Sequence, residues 1–221
     1  MRRPPPGGLE RELARLRPLT PSAPREALVF RAVHKSLGLN ALLGGLRSDR
    51  SYSILDLGPA LEANVRFWSQ FSCRLYIQDF HRLYREGKAA AAPQAESAEA
   101  NFSRLIPFGE ETVFDIILAW DIFNYFDLRE LKALVQRLSR SSRPGTRFFA
   151  LISSLPSISA SPMIFRIINR EKIFCETPTQ DTRPCPRHEP RDIIRLMAPF
   201  QVSSSFLMRQ GIREYVFTFS R

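Results

Sequence analysis

Residues 113–120, VFDIILAW, constrain the fold more than any other segment. The run is apolar on both faces, the pattern of a strand buried inside a parallel sheet and covered by helices on either side. Asp127 follows within a turn's length, with Glu130 three residues on, the spacing of a capping box. Leu128, Leu131, Leu134, Val135 and Leu138 then recur at helical spacing. SSRPG stops that helix, and TRFFALIS reads as another strand. Upstream, SYSILDL predicts a strand that turns at Gly58-Pro59 into a helix carrying Leu61, Val65 and Trp68, and CRLYIQDF predicts a second strand. Strand–helix–strand alternation argues for right-handed parallel crossovers and an open twisted α/β sheet.

The flanks read differently. Residues 1–8 are a Pro/Gly/Arg tail, expected to be disordered. Residues 9–49 predict N-terminal helices, with Val29, Val33 and Leu37 on one stripe that Leu42, Leu43 and Leu46 extend. Residues 81–100 are alanine-rich and helical in parts, interrupted at Gly87 and Pro93. Ser161-Pro162 opens a predicted helix bearing Met163, Ile164, Ile167, Ile168 and Phe174. RDIIRLMA predicts a short helix ended by Pro199, and FQVSSSFLM and IREYVFTF a hairpin around Gln210-Gly211.

Composition narrows the function classes. The 221 residues exceed the roughly 100–200 of one typical domain, and 44% are apolar, which suffices for a core. Thirty-two basic residues against 22 acidic ones leave a net charge of +10. All but four of the basic residues, Lys35, Lys88, Lys132 and Lys172, are arginine, and they are scattered rather than clustered. That balance favours acidic partners and keeps nucleic acid as an alternative partner. The three cysteines cannot all pair within the chain, the start lacks the apolar stretch of a secretory signal, and no apolar run approaches the roughly 20 residues of a membrane span. A cytoplasmic setting is the expectation. Cys175, Cys185 and His188 lack an evident fourth ligand, so no metal site is expected. No Ser/His/Asp or Cys/His set has the context of a hydrolase.

A strand ending in an acid, a glycine turn, a helix, and a second strand ending in an acid make up a nucleotide-site layout. Here the parts are Asp56, Gly58, the helix after Pro59, and Asp79. With the terminal hairpin, residues 50–221 resemble a class I S-adenosylmethionine-dependent methyltransferase. SILDLGPALEANVRFW resembles that family's first motif and LYIQDF its second. RLIPFGEETVFDIILAWDIFNYF resembles the adenine-side loop through the fourth strand, and RPGTRFFALIS the fifth strand. The resemblance implies a Rossmann-like, seven-stranded, mostly parallel sheet with an antiparallel last strand and helices on both faces.

It also implies S-adenosyl-L-methionine as cofactor, and direct methyl transfer to an unidentified small-molecule or protein acceptor. Cofactor-binding positions would be Asp56, Gly58 and Ala60 at the methionine end, Asp79 at the ribose, and Phe102 and Trp120 at the adenine. Asp121 and Tyr125 would face the acceptor as catalytic groups, with Asn124 beside them; a carboxylate or phenol there orients or deprotonates it. Other readings stand beside these. Asp56 and Gly58 suit a plain turn into a helix, Phe102 and Trp120 suit core packing, and Asp121 suits a cap after the strand. The motif departs from the family at Ala60 and Glu62, where glycines are usual. Glu62 adds charge beside the methionine carboxylate unless it meets Arg66 one turn on. The Asn/Asp-Pro-Pro-aromatic pattern of base-methylating enzymes is absent, and the segment before Ser103 lacks a strand-like third strand. A non-catalytic methyltransferase-like interaction module is the alternative function these departures suggest. The Arg183, Arg187 and Arg191 loop suits an anionic substrate or a solvated surface.

Overall fold

A computed structural model of the chain describes residues 31–90, 98–109, 111–208 and 211–220. The tail and residues 9–30 of the predicted N-terminal helices lie outside them. Along the chain run β1 (Arg31–Lys35), α1 (Leu37–Leu43), β2 (Tyr52–Asp56), α2 (Glu62–Trp68), β3 (Cys73–Ile77), α3 (Phe80–Ala90), α4 (Ala98–Leu105) and β4 (Phe114–Trp120). A 3-10 turn (Ile122–Tyr125), α5 (Leu128–Ser139), β5 (Ser142–Ser153), β6 (Ser157–Ser159), β7 (Ile164–Asn169) and β8 (Lys172–Glu176) follow. The chain closes with β9 (Thr182–Pro184), α6 (Pro190–Leu196), β10 (Phe200–Leu207) and β11 (Ile212–Phe219).

The main sheet has the order β10-β11-β5-β4-β2-β3. Strands β3, β2, β4 and β5 run parallel, and β11 pairs antiparallel with both β5 and β10. Strand β4 sits in the middle, and its alternate residues feed two cores. Ile117 and Ala119 join a cluster with Phe148 and Phe217, while Ile116 and Leu118 join Phe149 and Val216 on the other face. Burial on both faces is why VFDIILAW carries no polar stripe. Helix α5 begins with the full capping box: Asp127 Oδ1 accepts the Glu130 N–H at 2.8 Å, and Glu130 Oε2 accepts the Asp127 N–H at 3.0 Å. At the β10–β11 turn Gly211 takes φ 74°, the left-handed conformation glycine adopts without strain.

The sheet corrects the expected strand count. The main sheet has six strands among the described residues, with β3 and β10 at its edges. Helices α3 and α4 follow β3 where the seven-stranded sheet implied by the resemblance would place a further strand, because alanine-rich sequence favours helix over a pleated surface. Helix α3 also runs through Gly87 rather than ending there. Helix α2 starts at Glu62, three residues beyond Pro59, with Leu61 as its cap position.

Parts of two predicted helices are strands, although Leu37–Leu43 is helical as expected. Residues 31–35 form β1, antiparallel to β8, and residues 164–169 form β7, antiparallel to β8 on its other side. The order β1-β8-β7 makes a second, three-stranded sheet, and β6 and β9 pair as a separate ribbon. Ile164, Phe165, Ile167 and Ile168 match both periods over so short a run; their β-branched and aromatic character decides for strand once β8 offers an edge. Residues 31–43 therefore pack with the rest of the described chain. Helix α1 packs on β5, β10 and β11, and Gly38 donates to buried Glu214 Oε2 at 2.7 Å. A Cβ on Gly38 would lie 2.8 Å from Glu214 Cβ and 2.9 Å from the Phe149 ring, so only glycine fits. No helix among the described residues is long and apolar enough to cross a membrane.

Candidate active site

Strands β2 and β4 end side by side, and their terminal residues form the floor of the site. Buried Asp56 Oδ1 accepts the Gly58 N–H at 2.9 Å and the Trp120 indole N–H at 2.7 Å. Burial raises its pKa to about 6, with the Trp120 and Gly58 hydrogen bonds pulling the other way. Trp120 takes φ 50°, a costly backbone conformation for a bulky residue. Its ring is held by Asp56, by stacking on Phe165 (5.1 Å, 6°) and by the edge of Phe149 (5.8 Å, 88°). A Cβ at Gly58 would come within 3.1 Å of Asp56 Oδ1 and the Trp120 ring, so glycine here makes room for the indole.

A wall from the segment before β7 faces this floor. Asn64 of α2 ties it down: its amide donates to Phe165 O at 3.0 Å and accepts the Ile167 N–H at 2.8 Å. Asp121 Oδ2 accepts the Met163 N–H at 3.0 Å. Asp121 Oδ1 is buried without a hydrogen-bond partner among the described residues, and burial raises the Asp121 pKa to about 7. The Tyr125 hydroxyl donates to the carbonyls of Ser159 and Ser161 at 3.1 and 2.8 Å, and burial pushes its pKa upward. Asn124 bridges to β5, donating to Leu151 O and accepting the Ser153 N–H.

Between floor and wall lies a cleft of about 490 Å³, lined by Gly58, Asp79, Trp120, Asp121, Met163 and Phe165 among others. That volume lies within the roughly 300–1,000 Å³ of small-molecule sites. Asp79 reaches it from the end of β3 and accepts from Arg82 Nε at 3.0 Å. Glu62 points away: its side chain is 83% exposed and paired with Arg66. Asp121 and Met163 also line a smaller apolar cavity of about 130 Å³ behind them, together with Asn124 and Tyr125.

The structure thus brings Gly58, Asp79, Trp120 and Asp121 together at one cleft, with Tyr125 behind it; Asp56 does not line the cleft but is buried beneath it, bonded to Gly58 and Trp120. Phe102 is elsewhere. It is fully buried in an aromatic cluster with Phe80, Tyr84 and Phe126, at 5.5, 5.8 and 5.9 Å between ring centroids. Ala60 is exposed and does not line the cleft. Of the arginine-rich loop, Arg183 lines a cavity. No three His, Cys, Asp or Glu residues group as metal ligands among the described residues; His188 Nε2 instead lies 3.1 and 3.0 Å from the carbonyls of Phe123 and Phe126. Sequence reasoning missed Asn64, Met163 and Phe165, whose contacts span up to 103 positions and leave no local pattern.

No protein-family model matches the sequence, and no curated protein does. Solved structures do match. The PH0226 protein of Pyrococcus horikoshii OT3 is similar over 81% of this chain and 86% of its own, at 12% identity and a TM-score of 0.50. The chain shares that protein's fold, an α/β arrangement around a mostly parallel central sheet. Two further structures at lower TM-score, both 0.46, are a S-adenosylmethionine-dependent methyltransferase from Clostridium acetobutylicum ATCC 824 and the glycopeptide N-methyltransferase MtfA complexed with S-adenosyl-L-methionine. They share 12% and 13% identity, cover 77% and 82% of this chain, and are covered over 84% and 94% of their own lengths. Relative to the arrangement the resemblance implies, the fold lacks a strand outside β3 among its described residues and carries an extra three-stranded sheet beside the cleft.

Proposed function

We propose that the protein transfers a methyl group from S-adenosyl-L-methionine to a small-molecule or protein acceptor. The observation that carries this reading is the 490 Å³ cleft over the Gly58 turn, at the C-terminal ends of β2, β3 and β4, with the Asp79 carboxylate on its rim. Open α/β sheets bind ligands at that end. The residues present fit the group in size and in donor set. Asp79 would accept hydrogen bonds from ribose hydroxyls, Gly58 and Pro59 would face the methionine end, and Glu62 is turned out of the way by Arg66.

When bound, S-adenosylmethionine supplies an electrophilic methyl carbon on a sulfonium, whose sulfur keeps the bonding pair on departure. The chain's own work is alignment and proton handling. Alignment alone can remove several kcal/mol of barrier, which is why no nucleophilic triad is needed. Asp121, with Oδ2 fixed by Met163 and its pKa near 7, is the group that would hold the acceptor's proton. Tyr125, bonded to two carbonyls, positions the Ser159–Ser161 turn instead of exchanging a proton.

One observation favours a second reading, a non-catalytic module of the same fold: the Trp120 indole fills the space that Gly58 leaves. Calorimetry and thermal unfolding with S-adenosylhomocysteine separate the two. Ligand at a hundred times its Kd should stabilise the native state by about 2.7 kcal/mol. Asp79→Asn should weaken that binding roughly tenfold, because a charge-assisted hydrogen bond is lost. No heat and no shift at millimolar ligand would remove the enzyme reading.

A further inference from the structure

The donor cleft borders a second one of about 680 Å³, and His81, Arg85 and Ser161 line both. Three groups from different elements meet at that junction. The Arg183 guanidinium of β9 stands 5.7 Å from the Tyr125 ring centroid, and the His81 imidazole meets the same ring edge-on at 5.1 Å. Arg85 lies one helical turn beyond His81 on α3. Among the described residues neither arginine has a carboxylate within salt-bridge distance.

That is unexpected, because Asp127, Glu130 and Asp181 line the same cleft. Two of them are already engaged. Asp127 closes the cap of α5, and Glu130 accepts from the Asp127 N–H and the Tyr84 hydroxyl. Asp181 is exposed at the edge. The Arg183 guanidinium lies over the Tyr125 ring, and among the described residues its N–H fork has no hydrogen-bond or ion-pair partner, so it can serve an oxyanion. The field at the junction is positive: burial first, then Arg85 and Arg183, depress the His81 pKa to about 4 against the opposing pull of Asp79. His81 is therefore neutral at pH 7 and offers one ring N–H.

We propose that Arg85 and Arg183 form an oxyanion-binding subsite beside the donor cleft, which holds the carboxylate or phosphate of a small acidic ligand. As the anionic end of a methyl acceptor, the ligand rests on the methyltransferase reading; the anion site itself does not. An acceptor anchored there would place its neutral end past Ser161 toward Asp121, which line the same donor cleft.

The test follows the His81 ring resonances of the full chain by NMR, in zwitterionic buffer at constant ionic strength. Inorganic phosphate and acetate are titrated separately. Saturable shifts in the millimolar range are expected, with a rise of about one unit in the His81 pKa, since a bound anion favours the imidazolium. The tighter of the two ions identifies the headgroup. In the Arg85→Gln/Arg183→Gln variant, whose replaced side chains are exposed, affinity should fall roughly tenfold or more with the unfolding midpoint unchanged. Arg74→Gln, a surface control, should titrate as the parent does. Linear shifts equal in parent and double variant, or no response to either ion, would overturn the subsite. Failure of S-adenosylhomocysteine to bind while phosphate still does would remove methyl transfer and leave the subsite standing.

Discussion

The floor and the wall of the cleft are built in opposite ways. On the floor, Asp56 and Gly58 bond across two residues, and the strand ends beneath them come from neighbouring parallel crossovers. The wall is held by Asn64 to Phe165 and Ile167 and by Asp121 to Met163, contacts 42 to 103 residues apart in sequence. Their two buried carboxylates differ accordingly. Asp56 has two donors on one oxygen and a pKa raised to about 6; Asp121 has one donor, an orphan oxygen and a pKa raised to about 7. Asp56, set between neighbouring strand ends, has its bonded oxygen doubly satisfied, while Asp121, reaching across to the segment before β7, keeps one oxygen buried without a partner among the described residues.

Four measurements sharpen or break that contrast. The largest effect is expected where floor and wall meet. Trp120→Ala removes the indole that joins Asp56 to Phe165 and should lower the unfolding free energy in urea by about 3–5 kcal/mol; a loss below 1 kcal/mol would mean that relief of the φ strain offsets the packing. Asn64→Ala comes next. It strands a carbonyl and an N–H of β7, and the expected loss is about 2–4 kcal/mol. If it costs no more than a surface cap, the wall is not held by Asn64.

Asp121 gives a pH signature. Its pKa is about 7 in the fold against 3.8 ordinarily. Between those values the native state keeps a proton that the unfolded chain releases. Stability should therefore fall as pH rises across that window, by up to roughly 1.4 kcal/mol per unit from this group. Asp121→Asn should flatten much of the slope from pH 4 to 7 and raise stability at pH 8, leaving the smaller Asp56 contribution. An unchanged slope would show that Asp121 stays ionised. The smallest effect belongs to the most local feature: Asp127→Ala breaks the α5 cap and should cost about 1 kcal/mol, read from the same urea curves.

Legibility in the sequence followed contact distance. The α5 cap, the buried strand β4 and the turn at Gly58 depend on neighbours within a few positions, and all are readable from spacing. Gly58, Asp79, Trp120 and Asp121 converge on the cleft, with Asp56 buried below, because parallel strands deliver their C-terminal ends to one edge. Phe102 was expected at the adenine and lies in the core instead, since an aromatic on a helix is bland until its neighbours are known. Residues 31–35 and 164–169 read as helix, because a short apolar run fits both periods and only the β8 edge distinguishes them.

What the sequence determined alone was the α/β alternation of its middle and the acids that follow its parallel strands. Those follow from hydrophobic period and turn chemistry, which act over a few residues. Tertiary structure decided that an inserted sheet walls the cleft, that Trp120 packs over Gly58, and that Arg85 and Arg183 flank one opening. Such contacts need chain segments brought together over long separations, where loop-closure entropy must first be overcome and local preference carries no signal.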